Sequence, residues 1–171
     1  MAKQLAKKGL KVVDAFAPDD FLRLDVQLCF ALYRATNLVT RLYRPMLEPL
    51  GITYSQYLAM IALWEEAPQS VGALGKRLNL DSGTLTPLFK RLEKLGLVSR
   101  QRDPVDERRV LVDLTDAGRA MRARAAHIPL DVLGQLPLSV DEVVALRGML
   151  ERLNVGLSAE DDSEAAAILA G

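Results

Sequence analysis

The side chains best suited to covalent chemistry in this sequence are a cysteine and the tyrosine that follows it. Cys29 is the only thiol among 171 residues, and Tyr33 lies four residues later, one turn on along the same face of a helix. A lone cysteine cannot close a disulfide within its own chain, so a reactive Cys29 must meet an external molecule or the same residue of another copy. An isolated cysteine in an apolar helical pattern is more often a buried core residue. Taken alone, the pattern fits a sensor, a catalyst or a core residue.

Basic residues form a second group with a chemical meaning. The whole chain carries 22 basic and 22 acidic residues and has no net charge. The segment over residues 76–109, however, contains nine basic and five acidic side chains, which gives it a net charge of +4. A positive block inside a neutral chain is typical of a local surface that binds an anion such as nucleic acid.

The apolar periodicity predicts a mainly helical chain with a small hairpin. Apolar side chains recur at steps of three and four residues over most of the chain and alternate only in one segment. Thr53 and Ser139 each open a capping box. Pro45, Pro49 and Gly51 are expected to close the first helix. We predict helices over residues 21–50, 53–68, 71–78, 82–96, 115–128 and 139–157, and a two-stranded hairpin over 98–114 with a six-residue loop.

The order of elements in the middle of the chain is that of a winged helix-turn-helix. In such a domain the second helix lies in the major groove of DNA with its first residues towards the base edges. Arginines near the hairpin loop suit the narrow, electronegative minor groove; the alternative is that they are solvated charges on an ordinary hairpin. The inward face of the second helix is expected to consist of Leu85, Leu88, Leu92 and Leu95. The candidate DNA-binding residues are Asp81, Ser82, Gly83, Thr84, Thr86, Pro87, Lys90, Arg91, Arg102, Arg108 and Arg109.

Several stretches together resemble the MarR family of transcriptional regulators. Residues 106–118, which begin Asp-Glu-Arg-Arg, look like the wing and the following helix start of that family. Residues 80–91, 27–33 and 51–58 narrow the resemblance to the organic-hydroperoxide-sensing repressors, the OhrR branch. The likeness covers about residues 21–156. It implies that the wing contacts the minor groove through Arg108, with Asp106 bracing the wing.

The resemblance also implies a homodimeric repressor whose first and last helices intertwine. The reduced protein would bind a palindromic operator in double-stranded DNA. Organic hydroperoxide would oxidise Cys29 and release the DNA, and so act as the inducer. In this family, tyrosines hydrogen-bond the reactive cysteine, and the matching positions here are Tyr33, Tyr43 and Tyr54.

Helix geometry limits how these tyrosines can reach the thiol. Tyr43 lies 14 residues beyond Cys29 on the same predicted helix, which is roughly 21 Å at ~1.5 Å per residue. We therefore expect Tyr33 to act within the chain, and Tyr43 and Tyr54 to come from the other subunit. Some family members have a second cysteine, which this chain lacks. Oxidised Cys29 is then expected to form a mixed disulfide with a small cellular thiol, the alternatives being a backbone sulfenamide or overoxidation.

Two rival functions stand beside this hypothesis. The first is a MarR-type repressor that is gated by a small aromatic ligand in the interface cleft. The second is a one-cysteine thiol peroxidase, for which the sequence offers no acid–base dyad. We predict no enzymatic activity, no cofactor and no metal site. No apolar run approaches the roughly 18 residues of a membrane span, so we expect no membrane association and, with a lone cysteine and no secretion signal, a cytoplasmic protein.

The predicted organisation has three parts. Residues 1–19 form a flexible arm or, alternatively, a short basic amphipathic helix; residues 20–157 form the MarR-type domain; and residues 158–171 form a frayed acidic tail. Within the domain, the winged helix-turn-helix spans residues 52–115, and the dimerisation helices span 20–50 and 116–157. His127 is expected at the surface or an interface, and Trp64 in the core.

Overall fold

The computed structural model describes residues 22–169, with side chains described up to residue 158. The chain is mainly helical, with a small three-stranded antiparallel sheet, which confirms the predicted fold class. No described helix is both long and apolar enough to span a membrane. The helices are α1 (Leu28–Leu47), α2 (Tyr54–Glu65), α3 (Val71–Leu78), α4 (Ser82–Lys94), α5 (Asp116–Ala125), α6 (Ile128–Leu133) and α7 (Val140–Leu169), and the strands are β1 (Gln69–Ser70), β2 (Val98–Arg102) and β3 (Val110–Leu114).

Helix α1 starts later than predicted. Within the described residues, a short 3-10 helix, Leu24–Val26, precedes it, and Gln27 has extended backbone angles that separate the two. Pro45 lies inside α1, so the prediction that it helps to close the helix was wrong. The chain turns instead after a second 3-10 helix, Glu48–Leu50, where Gly51 adopts a φ of +70° that favours glycine. The predicted arm over residues 1–19 lies outside the described residues.

Side-chain caps fix the starts of the helices as predicted. In the Thr53 capping box, Gln56 N donates to Thr53 Oγ1 at 3.4 Å and Thr53 N donates to Gln56 Oε1 at 2.8 Å. The Ser139 box has the same form, with Glu142 N donating to Ser139 Oγ at 3.3 Å. These bonds satisfy amide groups that a helix start leaves without partners. Local sequence alone therefore places these ends.

Helices α3 and α4 of the helix-turn-helix pack closely at Gly75. A Cβ on Gly75 of α3 would lie 2.9 Å from Leu85 Cδ1 of α4, so only glycine allows this approach without a shift. Leu85, Leu88 and Leu92 are buried as predicted, but Leu95 is 48% exposed. Phe89, rather than Leu95, completes the buried face of α4, because it lies one turn after Leu85 on the same face.

The sheet has one strand more than the predicted hairpin. Strands β2 and β3 pair antiparallel from Val98 with Leu114 to Arg102 with Val110. Strand β1 adds to the other edge of β3, where Gln69 pairs with Val112. A two-residue strand is too short to show alternation, which is why periodicity missed it. The loop between β2 and β3 spans seven residues, 103–109, rather than six.

The chain divides into two compact units, one ending at Arg124 and the other beginning at Ala125. Helix α5 ends at Ala125, short of the predicted end. Pro129, the residue after the predicted helix end, lies in the first turn of α6, where its missing N–H costs nothing. Helix α7 continues to Leu169, so the predicted end near residue 157 was wrong. Alanine and glutamate, both good helix formers, are frequent beyond that point.

Candidate DNA interface and redox site

Asp81 builds the start of α4. Its Oδ1 accepts a hydrogen bond from Thr84 N at 2.9 Å, and its Oδ2 accepts one from Thr84 Oγ1 at 2.8 Å. These bonds, the one from the Thr84 hydroxyl first, lower the pKa of the Asp81 carboxyl below its usual value. A Cβ on Gly83 would lie 2.9 Å from Asp81 Oδ1, so glycine leaves room for the cap. Asp81, which was predicted to bind DNA, thus stabilises the start of α4 through these two hydrogen bonds.

The outward face of α4 has the composition that sequence analysis predicted. Thr86 Oγ1 donates to the carbonyl oxygen of Ser82 at 2.8 Å, so its hydroxyl hydrogen is already bonded within the helix. Among the described residues, Lys90 and Arg91 form no ion pair, so both charges are available to an anion. Exposed on α4 are Ser82, Gly83, Thr84, Thr86, Pro87, Lys90 and Arg91.

Hydrogen bonds within the wing loop hold Arg108 at its tip. Arg108 N donates to Asp106 Oδ1 at 3.1 Å, and Arg109 N donates to the Asp106 carbonyl oxygen at 2.9 Å. The carboxylate of Asp103, which is largely buried, accepts from Val105 N at 2.9 Å and lies 3.8 Å from Arg109 Nε. The charge of Arg109 is therefore partly compensated, whereas Arg108 forms no ion pair with any described residue.

A cleft of about 640 Å³ separates the helix-turn-helix from the wing. Thr86 of α4, Lys76 of α3 and Arg108 of the wing all line it. Arg100 also lines it, but its guanidinium binds Glu93 Oε2 at 2.6 and 2.9 Å. The hydrogen bond from Arg100 is the main cause that lowers the pKa of the Glu93 carboxyl. The negative charge of Glu93 is therefore balanced by the positive charge of Arg100.

Lys76 was counted in the basic block but not predicted as a site residue. An eight-residue helix shows too little periodicity to reveal which face its lysine occupies. Arg102, a predicted DNA-binding residue at the end of β2, is exposed, but it does not line the cleft.

Cys29 is exposed and is the second residue of α1. A helix start presents unpaired amide N–H groups and the positive end of the helix dipole, both of which favour an anion. Tyr33 is 65% exposed, and its ring lies 6.5 Å from that of Phe30. No hydrogen bond joins Cys29 to Tyr33 in the described part of the chain. Cys29 and Tyr33 thus lie one turn apart on the helix, and no hydrogen bond joins them.

The other tyrosines form a separate cluster. The ring centroids of Tyr43 and Tyr54 are 4.8 Å apart, and those of Tyr43 and Tyr57 are 5.9 Å apart. Burial raises the pKa of all three hydroxyls, so they stay protonated and can donate hydrogen bonds. Tyr57 was not predicted, although it follows Tyr54 by three residues. We name Tyr43, Tyr54 and Tyr57 the tyrosine cluster.

One chain does not bring the thiol and the tyrosine cluster together. Helix α1 is continuous from Leu28 to Leu47, so Tyr43 lies roughly 21 Å along it from Cys29. The cluster therefore has donors but no thiol of its own chain near it. No group of His, Cys, Asp and Glu residues within the described structure could hold a metal ion.

The family described as transcriptional regulator SarA/Rot matches residues 41–124. A second finding is a curated relative, the organic hydroperoxide resistance transcriptional regulator of Bacillus subtilis (strain 168). It is 43% identical over 134 residues, which cover 78% of this chain and 91% of the relative. The chain belongs to the MarR family of transcriptional regulators. The predicted resemblance to the organic-hydroperoxide branch of this family is confirmed.

Further comparisons agree with this MarR-family assignment. The HTH-type transcriptional regulator TtmR of Methylorubrum extorquens (strain PA1) is 46% identical over 145 residues, which cover 85% of this chain and 74% of TtmR. A solved structure, reduced AbfR bound to DNA, superimposes with a TM-score of 0.71 at 37% identity. It covers 83% of this chain and 97% of AbfR, a protein of Staphylococcus epidermidis. As a member of the family, the chain is a DNA-binding transcriptional regulator.

Proposed function

We propose that this MarR-family regulator is a homodimeric repressor that releases a palindromic operator when an organic hydroperoxide oxidises Cys29. The observation that carries the proposal is the separation within one chain of an exposed thiol and a cluster of hydroxyl donors by roughly 21 Å. In a dimer with antiparallel first helices, Cys29 of each copy meets the tyrosine cluster of the other. Tyr33 then donates from the same chain, as the helical spacing allows.

Exposed apolar side chains support the dimer. They are concentrated before α1, along α1 as far as Leu38, and along α7. Burying them against a second copy stabilises the pair by about 25 cal/mol for each Å² removed from water. Two-fold symmetry of the protein then requires two-fold symmetry of the operator. The exposed apolar residues in these regions are Leu22, Leu24, Val26, Leu28, Leu38, Val140, Val144, Leu146, Met149, Leu153, Val155 and Leu157.

The cleft beside the wing supports a defined docking of DNA. With α4 in the major groove and Arg108 in the adjacent minor groove, the sugar–phosphate backbone between the grooves must pass through that cleft. Lys76 lines the cleft and forms no ion pair with a described residue. The nearby Glu93 is already paired with Arg100. The cleft therefore offers positive charge to phosphate without an opposing free carboxylate.

The proposed chemistry at Cys29 balances without a metal. The thiolate attacks the outer oxygen of the hydroperoxide, the O–O bond breaks, and an alcohol leaves after taking up a proton. Cys29 becomes a sulfenic acid, and the thiolate of a small cellular thiol then displaces hydroxide to form a mixed disulfide. Each chain is consumed once per oxidation, so the protein is a switch rather than an enzyme, and it works in the cytoplasm beside its DNA.

Operator binding by the wild-type protein and by Cys29→Ser tests the proposal. In a gel shift on an upstream inverted repeat, cumene hydroperoxide with an equimolar small thiol should release the wild type at about one equivalent per chain, and dithiothreitol added after the peroxide is consumed should restore binding. Cys29→Ser should bind equally well and remain bound. Release of Cys29→Ser by the peroxide contradicts the proposal. Consumption of many equivalents of peroxide per chain, faster than thiol restores operator binding, supports the peroxidase alternative instead.

A groove beside the tyrosine cluster favours one second candidate, gating by a small ligand. It encloses about 430 Å³ and is lined by Arg44, Leu47, Ile52 and Tyr54 among others. An aromatic carboxylate could stack on the tyrosine and bind the arginine. Release of operator from Cys29→Ser by such a carboxylate, at concentrations that leave a matched aromatic alcohol inactive, would establish this mode.

A further inference from the structure

A run of aromatic contacts continues from the tyrosine cluster along α2. The ring of Tyr57 lies 5.9 Å from Tyr43 and 6.3 Å from Trp64, which it meets nearly edge-on at 69°. Trp64 is the only tryptophan of the chain. It is half-buried rather than in the core, and its Nε1–H donates to the carbonyl oxygen of Gly118 at 2.8 Å. This bond joins the last turn of α2 to the first turn of α5.

Gly118 lies against the segment that connects the recognition helix α4 to the wing. A Cβ at Gly118 would lie 2.0 Å from the Leu97 carbonyl oxygen, so the two backbones are in direct contact. Leu97 N donates to the Leu92 carbonyl oxygen of α4 at 3.0 Å, and the Leu97 carbonyl oxygen accepts from Thr115 N at 3.1 Å. Strand β2 begins at the next residue, Val98. No side chain stands between Gly118 and Leu97 to absorb a displacement.

We propose that Trp64 is a positioning residue that passes the oxidation state of Cys29 to the junction of the recognition helix and the wing. This inference rests on the proposed function, in which the thiol of a second copy lies against the tyrosine cluster. A thiol adduct there displaces Tyr43, Tyr57 follows because the rings are in contact, and Trp64 moves the Gly118 carbonyl to which it is bonded. Close-packed groups of this kind shift between discrete arrangements rather than deform gradually.

Trp64→Phe tests the hydrogen bond in this path while keeping an aromatic ring. The measured quantity is the ratio of operator dissociation constants of the oxidised and reduced protein. We expect the reduced protein to bind operator normally and Cys29 to oxidise at the wild-type rate, while the ratio falls about fivefold, the factor that corresponds to one net hydrogen bond. A ratio within about twofold of the wild type would overturn the inference.

Gln69→Ala is the matched control for a general loosening of α2. Gln69 Nε2 donates to the carbonyl oxygens of Ala62 and Glu66, so this variant also loses side-chain bonds at the end of the helix, but it leaves the aromatic contacts intact. Its ratio should equal that of the wild type. If Gln69→Ala lowers the ratio as much as Trp64→Phe does, the effect is structural and the inference fails.

Fluorescence of Trp64 gives a second readout that does not depend on a variant folding. Because Trp64 is the only tryptophan, its emission reports one position. Oxidation by one equivalent of cumene hydroperoxide in the presence of one equivalent of a small thiol should change the emission of the wild type and leave that of Cys29→Ser unchanged. Operator release with no change in Trp64 emission would overturn this inference but leave the proposed function standing. Oxidation of Cys29 with no release of operator overturns the proposed function, and with it the inference.

Discussion

Replacing Lys76 by alanine tests whether the cleft between α3 and the wing holds the DNA backbone. Each phosphate contact releases counterions, so log K falls with log salt concentration by about 0.9 per contact. A dimer carries the residue in both copies, and loss of both contacts should lower the slope by about 1.8. Between roughly 50 and 200 mM salt, the affinity of the wild type should then drop about twelvefold more than that of Lys76→Ala.

The assay is fluorescence anisotropy with labelled operator and with a scrambled duplex at several salt concentrations. Phosphate contacts carry no base information, so Lys76→Ala should weaken binding to both duplexes by a similar factor. Arg122→Ala is the matched control, because it removes one exposed positive charge from the same compact unit but does not line the cleft. An unchanged slope for Lys76→Ala, or an equal change for Arg122→Ala, would refute the assignment of the cleft to the backbone.

Two further predictions concern stability. Gly118→Ala should lower the free energy of unfolding by about 3 kcal/mol or more, because its Cβ would lie 2.0 Å from the Leu97 carbonyl oxygen. Gly148→Ala, at a helix position with no close neighbour, should raise the free energy of unfolding by up to about 1 kcal/mol. Equal urea midpoints for the two variants would contradict this prediction. Asp81→Asn keeps a capping group but removes the charge. Because the folded pKa of Asp81 lies below its usual 3.8, its stabilisation is complete above that value and is lost as pH falls through the folded pKa. The stability difference between wild type and Asp81→Asn should therefore shrink from pH 7 towards strong acid, and a constant difference in urea unfolding would count against it.

Local sequence predicted the elements whose signals are local. The capping boxes at Thr53 and Ser139 depend on residues three positions apart, and they mark real helix starts. Strand β1 was missed because its two residues gain their strand character only by pairing with β3, far along the chain. The predicted helix over residues 115–128 ends just before Pro129, although a proline fits the first turn of a helix equally well. Proline can mark either the end of one helix or the start of the next, and the sequence alone did not distinguish these two cases.

The site was predictable to a similar extent. The exposed polar face of α4 was predictable, because its small polar and basic residues fall between leucines that recur at helical spacing. The 14-residue offset of Tyr43 from Cys29 could be converted to a distance because one helix links them. The contacts of Tyr43 with Tyr57, and of Trp64 with Gly118, join different helices. Spacing along the chain does not encode such tertiary contacts, so they required the structure.

A stoichiometric titration tests the central claim most directly. Reduced protein bound to labelled operator is titrated with cumene hydroperoxide while anisotropy follows release and intact mass spectrometry follows the state of Cys29. We predict that the released fraction tracks the fraction of oxidised Cys29 up to one equivalent per chain, and that Cys29→Ser shows neither change. Oxidation of Cys29 with the operator still bound, or release while Cys29 remains reduced, would contradict the account.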